Sequence, residues 1–159
     1  MENELSSSAR KVQETLRALG KNYIVTELPE STRTALEAAQ AVGCEVGQIV
    51  KSIIFMASMT RRAVLVIASG VNWINETRIS SLVEEPIVKA DVDFVRNATE
   101  YAIGGVPPVG HSTSVVIFID EDLMQYESVW AAAGTPHAVF ALNPLDLPEM
   151  TGGKVIDVH

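Results

Sequence analysis

Apolar positions follow two different rhythms along this chain. Leu5, Val12, Leu16 and Leu19 fall on one face of a 3.6-residue spiral, and that spacing predicts a helix starting within Ser6–Ser8 and stopping at Gly20. NYIVTEL then reads as a strand. Thr34 and Glu37 make a capping box at the head of TALEAAQAVG, a helix closed by Gly43. After the short EVGQ turn, the β-branched run VKSIIFMA predicts a strand that returns through the polar turn SMTRR to AVLVIASG as a hairpin. Asn75 caps a helix over ETRISSLV, PIVKA forms a short strand, and Asp91 caps a helix over VDFVRNAT. SVVIFID is a strand and DEDLMQY a short helix from Asp120. ESVWAAAG and HAVFALN form a strand pair, and Asn143-Pro144 opens a last helix with proline in its first turn. Helices and strands mix without a repeating βαβ rhythm, which predicts an α+β domain with a mixed sheet.

Size and charge narrow the picture. The 159 residues, 47% of them hydrophobic, suit one domain over 1–159 with a real core. The apolar runs are strand-length, far short of a membrane span, and MENELSSSARKVQ has no apolar signal core, so the expected location is the cytoplasm, with no membrane partner. A net charge of -8 excludes a protein that coats nucleic acid non-specifically, because phosphate binding rests on Lys and Arg. Any such contact is local, drawn from Lys11, Arg17, Lys21, Arg33, Lys51 and the Arg61-Arg62 turn, which are scattered as solvated surface charges usually are. The lone Cys44 cannot form an internal disulfide and reads as a small loop residue. His111, His137 and His159 stand far apart with no carboxylate pattern, and no nucleotide-binding, zinc-protease or serine-hydrolase motif occurs. We therefore expect neither a metal nor a cofactor.

Three features stand out. Lys51 is a charge inside the otherwise apolar IVKSIIFMA: either a rim residue whose stem covers the sheet, or a functional cation. YAIGGVPPVGH, Tyr101 to His111, is stiff and poor in side chains: either a tight connection to the next strand, or a set of bare amides held for an oxyanion or phosphate. GTPH, Gly134 to His137, is a second Gly-Pro corner, whose histidine faces a ligand or an ordinary strand edge.

Together, and in this order, QIVKSIIF, AVLVIASG, YAIGGVPPVGH, DEDLMQYESVWAAAG and GTPHAVFALNPLDLPEMTGGKVIDV resemble the YbaK / prolyl-tRNA synthetase-associated domain family from about Thr34 to Val158. The resemblance implies a mixed, partly barrel-like sheet surrounded by helices, and a trans-editing aminoacyl-tRNA deacylase that hydrolyses the ester between a wrong amino acid and the terminal adenosine of tRNA. It implies that Lys51 is essential and lies in the pocket, and that Gly104 and Gly105 present backbone amides near the scissile carbonyl. Tyr101, Val106, Pro107, Gly110, His111, Gly134, Pro136 and His137 follow as substrate-binding positions. The expected partners are the acceptor end of mischarged tRNA and, given the acidic surface, prolyl-tRNA synthetase or the elongation factor that carries aminoacyl-tRNA. The expected substrate is a small amino acid such as alanine on proline tRNA, with cysteine second. Two alternatives stay open: an inactive module that binds aminoacyl-tRNA or a nucleotide, and a purely architectural domain.

Overall fold

The Ser6 hydroxyl accepts the Ala9 N–H and starts helix α1 (Ser7–Ala18), whose Ala9, Val12 and Leu16 are buried. The structure, a computed structural model, describes residues 5–159; the first four residues of the MENELSSSARKVQ segment lie outside these. Leu19, expected on the buried face, caps α1 at its C-terminus and is exposed, while Gln13 takes an inward position instead. That exchange reshapes the next segment. The Gln13 side chain donates to the Tyr23 carbonyl and accepts the Val25 N–H, so NYIVTEL meets its backbone needs on a side chain. Only Thr26–Glu27 remains as strand β1.

The middle of the chain follows its pattern closely. Thr34 and Glu37 cap α2 (Ala35–Val42), which ends at left-handed Gly43. A 3-10 turn over Val46–Gln48 leads into β2 (Val50–Ala57), which pairs antiparallel with β3 (Ala63–Ser69). Asn75 caps α3 (Glu76–Val83), and Asp91 caps α4 (Val92–Thr99) after β4 (Ile87–Lys89). β5 (Val116–Asp120) is followed by a 3-10 turn, then by the antiparallel pair β6 (Val129–Ala132) and β7 (Ala138–Leu142). Asn143 caps a 3-10 turn running into α5 (Leu147–Thr151). The last element is β8 (Lys154–Ile156), a three-residue strand that the apolar pattern does not announce.

Five strands form one sheet in the order β4-β2-β3-β5-β8, with β3–β5 and β5–β8 parallel and the rest antiparallel. The other sheet is β1-β7-β6; among the described residues, a bridge between Ile49, just ahead of β2, and Trp130 of β6 links the two. This is the mixed α+β architecture expected, with open sheets in place of a closed barrel. β3 lies at the centre. Its Leu65 and Ile67 point into the core shared with α1, β6 and β7, while Val64, Val66 and Ala68 point to the layer holding Ile79 of α3 and Val158. Burying one such side chain contributes about 1.5–3 kcal/mol. Among the described residues, no helix is long and apolar enough to cross a membrane.

Candidate active site

The site arises where a strand lacks a neighbour. β4 covers only Phe55, Met56 and Ala57 of β2, so the edge from Val50 to Ile53 is left without a strand partner. Facing that edge are α2, β6 and the loop from Tyr101 to His111, and between them lies a cleft of about 370 Å³. Its apolar wall includes Ala38, Val42, Ile103 and Trp130, and its polar groups come from Thr32, Arg33, Lys51 and Ser52. The Ser52 hydroxyl is cut off from solvent and has no hydrogen-bond partner among the described residues. A buried hydroxyl in that condition is uncommon, and here it stands in the wall of the cleft.

Lys51 is half-buried, and its ammonium donates to the Asn72 carbonyl at 2.6 Å. Burial holds its pKa below the usual lysine value, opposed by the nearby Asp120 carboxylate. Its position is set from behind by a chain of bonds. Asp120, fully buried, accepts the Ser69 N–H, the Asn72 side-chain amide and the Asp122 N–H. The Asn72 amide also donates to Asp122, which His159 holds at 2.9 Å. The hydrogen bond from His159 draws the Asp122 pKa down, and the same bond raises that of His159. The exposed indole of Trp73 has its ring centre 5.7 Å from the Lys51 amine. A lysine carries three donors, and the Asn72 carbonyl takes one.

Of the two glycines expected at the site, Gly104 lines the cleft and Gly105 does not. Gly104 takes a left-handed conformation, φ 90°. The N–H groups of Gly104 and Val106 have no hydrogen-bond partner among the described residues, whereas the Gly105 N–H donates to the Ala102 carbonyl at 2.9 Å. Gly105 serves another need. Its carbonyl accepts the Gly134 N–H, and a Cβ at Gly105 would come within 2.8 Å of the Thr135 backbone. The two Gly-Pro corners are thus packed against each other.

Among the remaining positions singled out in the sequence, Val106 lines the cleft and the others do not; Gly110 and His111 line a separate recess with Met150 and Thr151. Tyr101 is buried beneath Lys11, its pKa raised by burial. Pro107 offers its carbonyl to His111 Nε2–H at 2.6 Å, and burial lowers the His111 pKa. Gly110, at φ 82°, lies against Thr15 of α1. Gly134 lets the chain pass the Ser8 backbone, which a Cβ would meet at 2.6 Å. The Pro136 carbonyl takes both the N–H and the hydroxyl of Thr32, which fixes the Thr32-Arg33 wall of the cleft. His137 lies outside the cleft, donating through Nδ1 to the Glu30 carbonyl at 3.0 Å. The sequence reading missed Ser52, Trp73 and Trp130. A hydroxyl directly after the lone lysine of an apolar strand was the available signal for Ser52; for the tryptophans there was none.

The α+β fold thus carries a small, largely apolar cleft with two cations, Arg33 and Lys51, in its lining together with Gly104 and Val106, whose N–H groups have no partner among the described residues. The comparisons place this fold in a family. The sequence profile of the aminoacyl-tRNA editing domain matches residues 29–150, and the chain belongs to that family. It is 28% identical over 135 residues to the uncharacterized protein YwhH of Bacillus subtilis (strain 168), covering 84% of this chain and 85% of that one. It is 32% identical over 99 residues to the proline–tRNA ligase of Limosilactobacillus fermentum, covering 57% of this chain but only 16% of the ligase. A solved structure described as a candidate trans-editing enzyme for prolyl tRNA synthetase superposes with a TM-score of 0.90 at 49% identity, over 98% of both chains.

Proposed function

We propose that this protein is a trans-editing aminoacyl-tRNA deacylase that cleaves a small amino acid such as alanine from mischarged proline tRNA. The observation that carries the reading is the cleft at the open edge of β2, whose largely apolar lining includes Lys51, Gly104 and Val106, the two loop residues with unpartnered amides. Family membership and the similarity to a proline–tRNA ligase and to a trans-editing enzyme support it.

In the reaction, water attacks the ester carbonyl and its oxygen bonds to that carbon. The bond from the carbon to the ribose oxygen breaks, and a proton from the water ends on that ribose oxygen. The products are a free amino acid and an uncharged tRNA. Charge gathers on the carbonyl oxygen in the transition state, where preorganised N–H donors act most strongly. The amides of Gly104 and Val106 fill that role, with Gly105 keeping the loop seated. Lys51 holds the terminal phosphate or the carbonyl oxygen through a charge-assisted bond, using donors the Asn72 carbonyl leaves free. The neighbouring ribose hydroxyl of the substrate assists the water. The outer positions, Tyr101, Pro107, Gly110, His111, Gly134, Pro136 and His137, support the cleft walls. Prolyl-tRNA synthetase or the elongation factor delivers the tRNA, in the cytoplasm.

The contact of Lys51 with the Asn72 carbonyl favours one other reading, a module that binds aminoacyl-tRNA or a nucleotide without turnover. A panel of tRNAs charged with alanine, cysteine, serine, threonine and proline separates the two under single-turnover conditions. Cleavage of one mischarged species, with correctly charged prolyl-tRNA spared, supports the deacylase; binding without any cleavage supports the module.

A further inference from the structure

The cleft does not end at Gly104. A second recess of about 260 Å³ shares Ser52, Gly104 and Val106 with it and carries Lys89 on its far wall. A third shares Lys89 and Ala90 with the second and reaches Arg61, and a fourth shares Arg61 and Asn97 with the third and ends at Arg62. The four recesses adjoin one another through these shared residues and make a stepped groove that runs from the cleft past the β4 side of β2 to the β2–β3 turn. From Ser52 to Ala57 alone, the strand rises roughly 17 Å.

The charge along this groove contrasts with the rest of the molecule. The chain has 12 Lys and Arg against 20 Asp and Glu. Five of those cations, Arg33, Lys51, Lys89, Arg61 and Arg62, lie in the cleft or the groove. Among the described residues, none of the five is within ion-pair distance of a carboxylate; of the seven outside, Lys11, Lys21 and Arg78 are held by Glu100, Asp146 and Asp157 and the other four stand apart from one another in sequence. Two acids share the groove, Asp91 and Asp93, and the Asp91 carboxylate is engaged by the Phe94 N–H as the cap of α4. The hairpin tip is also built to hold its shape. Glu85 accepts the N–H groups of Met59 and Thr60 and the Thr60 hydroxyl, and Arg61 adopts a left-handed backbone, φ 63°, that a side chain rarely takes.

We propose that the acceptor strand of the tRNA leaves the cleft along this groove, with Lys89, Arg61 and Arg62 binding the phosphates that precede the terminal nucleotide. The inference rests on the deacylase reading above and adds the path of the RNA. It reconciles an acidic protein with an RNA substrate: the electrostatic attraction is confined to one line leading to the ester.

The test compares two substrates carrying the amino acid that the panel selects, one a full tRNA and the other adenosine alone. In the Arg61→Glu/Arg62→Glu double variant, kcat/KM on the tRNA falls at least tenfold, chiefly through KM, while the adenosine ester is cleaved at the parent rate. Lys89→Gln, on another element, produces a smaller fall with the same selectivity. Binding of an uncharged tRNA transcript reads the groove independently of chemistry. Its log–log salt slope drops by about one for each phosphate contact removed. Parent-like tRNA cleavage and salt slope in the double variant, or an equal loss on both substrates, overturns the groove. If the parent cleaves neither ester but its tRNA affinity depends on Arg61 and Arg62, the groove stands and the hydrolytic reading falls.

Discussion

Strands β2 and β3 pair along seven positions, from Val50↔Ser69 to Met56↔Ala63, yet they serve opposite ends. β3 has a neighbour on both sides and a packed layer on both faces, and its residues are buried throughout. β2 has the same apolar character at Ile54 and Phe55, but its first half keeps a bare edge and there carries Lys51 and Ser52. The difference is what the proposed site asks of a strand. The half-buried ammonium and the unpartnered hydroxyl would each be avoided in a strand built only for stability, and the continuous core beside them offsets the loss.

Truncating the stabilising strand gives the largest expected effect on the fold. Ile67→Ala leaves a cavity in the main core and lowers unfolding free energy by about 2–5 kcal/mol, measured by denaturant titration, while the fraction that remains folded keeps the parent deacylation rate. A rate lost beyond the unfolded fraction would dissolve the division between the strands.

Gly105→Ala comes next. Its Cβ meets the Thr135 backbone at 2.8 Å, and the displacement costs roughly 1–3 kcal/mol. Because the loop moves with it, kcat/KM falls further than the shift in melting temperature explains. Parity between the two losses would show that the loop has no part in the chemistry.

The smallest effect is on pH. Burial keeps the Lys51 pKa below the ordinary lysine value, near 10.4 in model peptides. The ammonium is present below that lowered pKa and lost as pH rises through it. After subtraction of spontaneous ester hydrolysis, the rate therefore shows an alkaline limb below the ordinary lysine range, and Lys51→Arg moves the limb upward. Unfolding at this group cannot cause the limb. A lysine whose pKa is lower in the folded state contributes stability that rises with pH through that window. A limb that stays in place in Lys51→Arg would remove Lys51 from the rate.

How much of this could be read beforehand follows from the kind of signal each part carries. The β2–β3 hairpin and the capped helices α3 and α4 were open to reading, because alternation, a polar turn and the side chains of Asn75 and Asp91 are local signals. β1 was over-read, since nothing local reveals that Gln13, ten residues upstream of Tyr23, answers that backbone. β8 was missed because three residues added in parallel at a sheet edge leave almost no periodicity. In the site, Lys51 and Gly104 were visible as exceptions to their surroundings. The type of a side chain does not show its direction, so His137 was grouped with the cleft when its ring turns to Glu30. The groove was hidden for a further reason: Lys89 joins the line to Arg61 only through the pairing of β4 with β2.

The measurement that tests the central claim most directly is single-turnover hydrolysis of a mischarged tRNA by the parent and by Lys51→Ala, with melting temperatures taken on the same samples. The account predicts a rate loss of roughly 100- to 1,000-fold, the scale of removing one transition-state donor, with the melting temperature unchanged or raised. Hydrolysis at the parent rate would contradict it and return the open edge of β2 to architecture.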